Sequence, residues 1–112
     1  MSNIDTKIII VFCTVPDETV AVNISKRLVQ ENVAACCNII KNVRSIYFGE
    51  GEIQDDSELL LIIKTSIDMY DNIQKLILEE HPYTIPEIIA LPIEKGSIDY
   101  IKWVKENVKK RE

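Results

Sequence analysis

The chain has 112 residues with a formal net charge of −5, 46% apolar and 28% charged residues. That length suits one domain with one modest core, spanning 1–112. The acidic balance argues against a broad nucleic-acid surface, which needs clustered Lys and Arg. No apolar run approaches the roughly 18–20 residues that cross a bilayer, so a membrane partner is not expected. Three cysteines, an odd number, fit no disulfide framework and point to a reducing compartment, taken here as the cytoplasm.

The first element is "KIIIVFC", residues 7–13, a short Ile/Val run that reads as a strand covered on both faces. Residues 14–32 read as a helix. Thr14 and Asp17 have capping-box spacing, Pro16 suits a first helical position, and Val20, Ala21, Ile24 and Leu28 recur on one face. From Val33 to Thr65 the helical period disappears. "Gly-Glu-Gly" at 49–51 splits this stretch into two long strands joined as a hairpin.

A second helix is predicted over 65–81, capped by Thr65 or Ser66, with Tyr70, Ile73, Leu76 and Ile77 inward. "PEIIALPI" at 86–93 reads as a fourth strand, which its prolines restrict to a sheet edge or to strand ends. Gly96 and a capping Ser97 open a third helix through Lys110, built on Ile101, Val104 and Val108, with Trp103 as an anchor. The order is β-α-β-β-α-β plus a closing helix. This is an α+β, ferredoxin-like pattern with strand order 4-1-3-2 and antiparallel neighbours.

That topology carries Cys13 and His81, far apart in the sequence, to the same edge of the sheet. His81 is the one histidine of the chain. Tyr83, Glu87 and the start of the first helix belong nearby. Thiolate and imidazole suit copper and zinc, and a helix N-terminus beside Cys13 would lower its pKa. The plainer roles are a buried small hydrophobe for Cys13 and a backbone-bonded loop residue for His81. Cys36 and Cys37 are adjacent in a strand, so they point to opposite faces and read as packing residues. Lys64, Glu87 and Asp17 read as structural ion pairs. The hairpin overhang carries Val43, Ile46, Tyr47, Phe48 and Ile53 beyond what a compact sheet can pair. Covering it with other copies of the chain predicts a closed homo-oligomer.

"CTVPD" at 13–17, "AAC" at 34–36, "SIY" at 45–47 and "HPYTIPE" at 81–87 occur in this order. Together they resemble the CutA divalent-cation tolerance family over nearly the whole chain. The resemblance implies a ferredoxin-like subunit in a tight homotrimer, similar to PII signalling proteins, with hairpins pairing between subunits. It implies binding of copper or another divalent metal and no established reaction. Cys13 and His81 match two of the family's proposed ligands, and Glu80 stands where a first histidine is usual. Phe48 replaces a usual Trp, and Cys37 a small apolar residue. The expectation is therefore a metal-tolerance homotrimer, not an enzyme, with Cys13, His81 and Glu80 at the metal. Two other readings stay open. One is a PII-like small-molecule sensor with a cleft near Tyr47, Tyr83 and Glu87. The other is a thiol enzyme with Cys13 as nucleophile and His81 as base.

Overall fold

A computed structural model describes residues 6–108. The elements follow the predicted order: β1 (Ile8–Val15), α1 (Glu18–Gln30), β2 (Cys36–Gly49), β3 (Glu52–Ser66), α2 (Tyr70–Glu80), β4 (Ile89–Pro92) and α3 (Ile98–Glu106). The sheet order is β2-β3-β1-β4, with antiparallel neighbours throughout. Read from its other edge this is the expected 4-1-3-2.

Alternation along β1 sorts its side chains. Ile9, Val11, Cys13 and Val15 are buried, while Ile10, Phe12 and Thr14 are half-covered. The register places Val11 opposite Ile63 and Cys13 opposite Leu61, so the buried row continues across β3. Ala21, Ile24 and Leu28 of α1, Ile73, Leu76 and Ile77 of α2, and Val104 and Val108 close the same core. Thr65, fully buried in that row, donates its hydroxyl to the Val33 carbonyl (2.5 Å).

Several boundaries differ from the sequence reading. Thr14 lies inside β1, opposite Leu60, and caps no helix. Its β-branched side chain suits the strand, which runs on to Val15 before Pro16. Asp17 is the N-cap itself, accepting the Val20 N–H at 2.9 Å. Replacing Asp17 with Ala leaves that N–H unpaired. The expected loss is about 1 kcal/mol of unfolding free energy in urea, with Asp17→Asn recovering most of it.

The segment before α2 opens as a 3-10 turn (Ile67–Met69) without a side-chain cap, and Ser66 instead bonds Asp68. β4 keeps only four of the eight expected residues, Ile89–Pro92. α3 is capped by Ser97 as predicted. Its expected residues Lys109 and Lys110 lie outside the described residues.

β2 and β3 have 14 and 15 residues, so the hairpin runs far past the sheet. β1 reaches only Leu59 of β3, and residues 52–58 pair with β2 alone. One bulge interrupts the ladder. Ile40 faces Leu60 and Val43 faces Glu58, so Lys41 and Asn42 stand against Leu59 alone. Asn42 takes a left-handed backbone (φ 63°), a conformation that Asn tolerates better than most residues.

Candidate functional site

The two distant segments do meet. Cys13 lies near the end of the buried row of β1, before Val15, and its Sγ lies 3.7 Å from the Thr14 carbonyl. His81 follows α2 as its C-cap, in extended backbone before Pro82. Its Nε2 donates to the same Thr14 carbonyl at 2.8 Å. A carbonyl only accepts, so the ring proton sits on Nε2. Nδ1 is then free to accept the Tyr83 N–H at 3.1 Å. Thiol and imidazole therefore converge on one backbone oxygen, and both ring nitrogens are engaged.

The electrostatics differ from the expectation of a lowered thiol pKa. Cys13 is fully buried. Burial is the main cause that pushes its pKa from 9.0 up to about 12, and the negative charges of Glu87 and Glu58 add to it. Desolvation and two carboxylates outweigh the nearby helix N-terminus. At neutral pH the sulfur holds its proton. Iodoacetamide at pH 7.5 is expected to modify the partly exposed Cys36 well before Cys13. Mass mapping of the labelled peptides checks the order, and early labelling of Cys13 would contradict the burial account.

Glu80 is engaged elsewhere. Its Oε1 receives Arg27 Nη1 at 2.7 Å, while Arg27 also binds Glu79 (3.0 Å) and Glu31 (2.7 Å). Arg27 lies in the last turn of α1 and Glu80 in the last turn of α2, so the pair ties the two helices together. Among the described residues no three His, Cys, Asp or Glu side chains form a group that could hold a metal ion. Cys13 and His81 thus meet as two donor types with no third beside them, short of the four that close a structural zinc site.

Tyr47 and Tyr83 both point their hydroxyls at carboxylates. Tyr83 donates to Glu58 Oε2 at 3.0 Å, and Tyr47 donates to Asp56 Oδ2 at 2.5 Å. Burial, then the Glu58 bond, raises Tyr83 to about 12, with smaller contributions from Tyr47 and Asp56. The Tyr83 ring also lies 4.7 Å from that of His81. Glu87 is exposed, but its charge reaches Cys13.

The sequence reading passed over Glu58, Asp56 and Arg27. Glu58 had a signal: it stands in a strand run, "DDSELLLIIKT", where an acid directly before five apolar residues invites a question about its partner. Arg27 showed only its i,i+4 spacing to Glu31. Cys37 lies toward Ser25 of α1, and burial raises its pKa to about 12. Cys36 faces the other way, near Asn38. Lys64 bonds Asn38. Asp17 serves as a cap within the subunit. Trp103 is half-exposed and stacked on Tyr100 at 5.7 Å.

Residues 9–107 match the family described as "CutA1 divalent ion tolerance protein". A Thermus thermophilus protein named "Divalent-cation tolerance protein CutA" is 46% identical over 98 residues, covering 88% of this chain and 95% of its own. Human "Protein CutA" is 40% identical over 95 residues, covering 85% of this chain and 53% of the human protein. Rice "Protein CutA 1, chloroplastic" is 38% identical, and the chain spans 57% of its length. Among solved structures, the Thermus thermophilus divalent cation tolerance protein superposes with TM-score 0.88 at 44% identity, covering 91% of this chain and 99% of that one. CutA from Xylella fastidiosa gives TM-score 0.90 at 32% identity, covering 92% and 99%. On its sequence, its fold and the extent of both matches, the chain belongs to the CutA1 divalent ion tolerance family.

Proposed function

We propose that the protein serves divalent-cation tolerance by binding the cation, copper among them, as a cytoplasmic homotrimer that catalyses no reaction. The observation that carries this reading is the convergence of Cys13 and His81 on the Thr14 carbonyl. It joins the two donor types best suited to copper and zinc in a chain of a divalent ion tolerance family. A cation that takes the sulfur must displace its proton, and one that takes the imidazole must replace Thr14 or Tyr83 as its partner. Both requirements favour a weak, open site. Glu80 is the proposed third donor, once it leaves Arg27.

The homotrimer draws support from the surface. On the sheet face away from the buried row, Phe12 pairs across to Ile62 and Ile89, and Ile10 to Leu91. Ile89 and Leu91 are more than half exposed. Phe48 and Ile53 face each other on the hairpin at 71% and 66% exposure. Apolar area of this extent on a small subunit is what an oligomer interface covers. Free thiols are the support for the cytoplasm. Among the described residues no helix is long and apolar enough to cross a membrane.

The test is a titration with Cu²⁺ and Zn²⁺, repeated on Cys13→Ala and His81→Ala, with the mass in solution measured alongside. Binding that drops at least tenfold in each variant, in a particle of three chains, is expected. Affinity unchanged in both variants removes the site.

One observation favours a second reading, a small-molecule sensing trimer. Tyr47 bonded to Asp56 and Tyr83 bonded to Glu58 set two phenol rings among carboxylates along the hairpin, with the Glu87 charge acting on Cys13 close by. A ligand held there would raise the melting temperature in a thermal-shift screen without metal. A protonated, buried Cys13 lends no support to the thiol-enzyme reading.

A further inference from the structure

We infer that the cluster of Tyr47, Tyr83, Asp56 and Glu58 on the hairpin takes a small organic amine, best a short linear diamine, and turns anions away. The inference rests on the small-molecule reading above. Asp56 and Glu58 are two positions apart on β3, so both side chains leave the same face. Tyr47 donates to Asp56 and Tyr83 donates to Glu58. Tyr47 and Asp56 also act on Tyr83 through space, so the four groups form one cluster.

Glu58 sets this cluster apart from a solvated acidic surface. It is 8% exposed, and among the described residues only its Oε2 is bonded, to the Tyr83 hydroxyl. No Lys or Arg of the described residues makes an ion pair with Glu58 or Asp56. A buried carboxylate is ordinarily paired with a cation. Between Val43 and Glu58 the one Lys or Arg is Arg44, and two bonds tie it to Asp55 on the reverse face. Glu58 is thus left with an acceptor oxygen that has no donor, and its negative charge reaches as far as Cys13. A phosphate or carboxylate ligand would be repelled here. An ammonium group would find lone pairs still open on both carboxylates, with two phenol rings beside them. Side chains two positions apart on a strand stand about 7 Å from each other, the reach of a four- or five-carbon diamine.

The experiment is a calorimetric titration of 1,4-diaminobutane into the protein after dialysis against EDTA, at neutral pH and fixed ionic strength. ATP serves as the anionic probe. The diamine is expected to bind, and ATP is not. Glu58→Gln and Asp56→Asn are each expected to weaken the diamine about tenfold. Asp56 is partly exposed, so its variant keeps the test open if Glu58→Gln folds poorly. Tyr47→Leu is expected to lower affinity about threefold. Asp55→Asn removes the same charge from the reverse face and should change affinity less than about twofold. Equal weakening in Asp55→Asn overturns the inference, because an acidic chain would then attract the diamine at large. So does a protein that ignores the diamine, the result expected if a cation of a neighbouring subunit already fills the place. Binding of ATP without the diamine overturns the amine and leaves the sensing reading standing. A protein that binds neither, and that no compound stabilises in the metal-free thermal-shift screen, ends both.

Discussion

Unfolding free energy is expected to fall steeply above pH 9, and Cys13 is expected to cause a separable part of the fall. The thiol titrates at about 12 in the folded protein, raised from 9.0 mainly by burial. Below pH 9 folded and unfolded chains both hold the proton, and the group contributes no pH dependence. Between pH 9 and 12 the unfolded chain releases it while the folded chain does not. The unfolded state then binds fewer protons, so stability decreases as pH rises. One group of this kind gives about 1.4 kcal/mol per pH unit, or on the order of 4 kcal/mol by pH 12. Cys37 acts in the same direction through its own raised pKa, but its partial exposure reduces the effect. Tyr83 joins above pH 10 with a smaller, solvent-screened share. Urea midpoints at pH 8, 9, 10 and 11 measure the slope. In Cys13→Ala the slope should be shallower by about 1.4 kcal/mol per unit. An identical slope in that variant would mean that Cys13 ionises without hindrance, and the description of its surroundings would be wrong.

The second large effect belongs to Leu61. It lies on the central strand β3, opposite Cys13 on one side and Ile39 on the other, and is fully buried. Leu61→Ala removes a branched side chain where the sheet cannot collapse, because strands flank it on both sides. The expected loss is about 2–5 kcal/mol, the usual span for such truncations. For a domain of this size that lowers the melting temperature by roughly 10–20 °C at fixed protein concentration. Leu61→Met keeps most of the volume and should cost less than about 1.5 kcal/mol. A loss below 1 kcal/mol in the Ala variant would show that this row is not the core. Far-UV circular dichroism during urea unfolding reads all three proteins.

The sequence carried the layout well where periodicity did the work. Alternating and helical runs are local, and together with the handedness of β-α-β connections they placed Cys13 beside His81 before any coordinates. Thr14 was misassigned because the same residue satisfies a capping-box spacing and a β-strand. Pairing with Leu60 decided it, and that partner lies 46 positions away. The charge state of Cys13 was not legible, since it depends on Glu58 and Glu87 brought in from other elements. Glu80 was placed by its neighbour in the chain, yet its partner is Arg27, 53 residues earlier. Long-range side-chain pairing of this kind leaves no periodic trace.

The single bulge in the hairpin has a consequence for handing out faces. Below it, even-numbered residues of β2 share a side with even-numbered residues of β3, as Ile40 does with Leu60; above it, odd-numbered residues of β2 take their place, as Tyr47 does with Gln54. One surplus position therefore swaps the two rows of the upper arm. It turns the Tyr47 phenol toward Asp56 and sends Ile46 and Phe48 to the reverse side. Shortening the arm by Asn42 alone would exchange these rows, offering grease where the acids now meet a phenol.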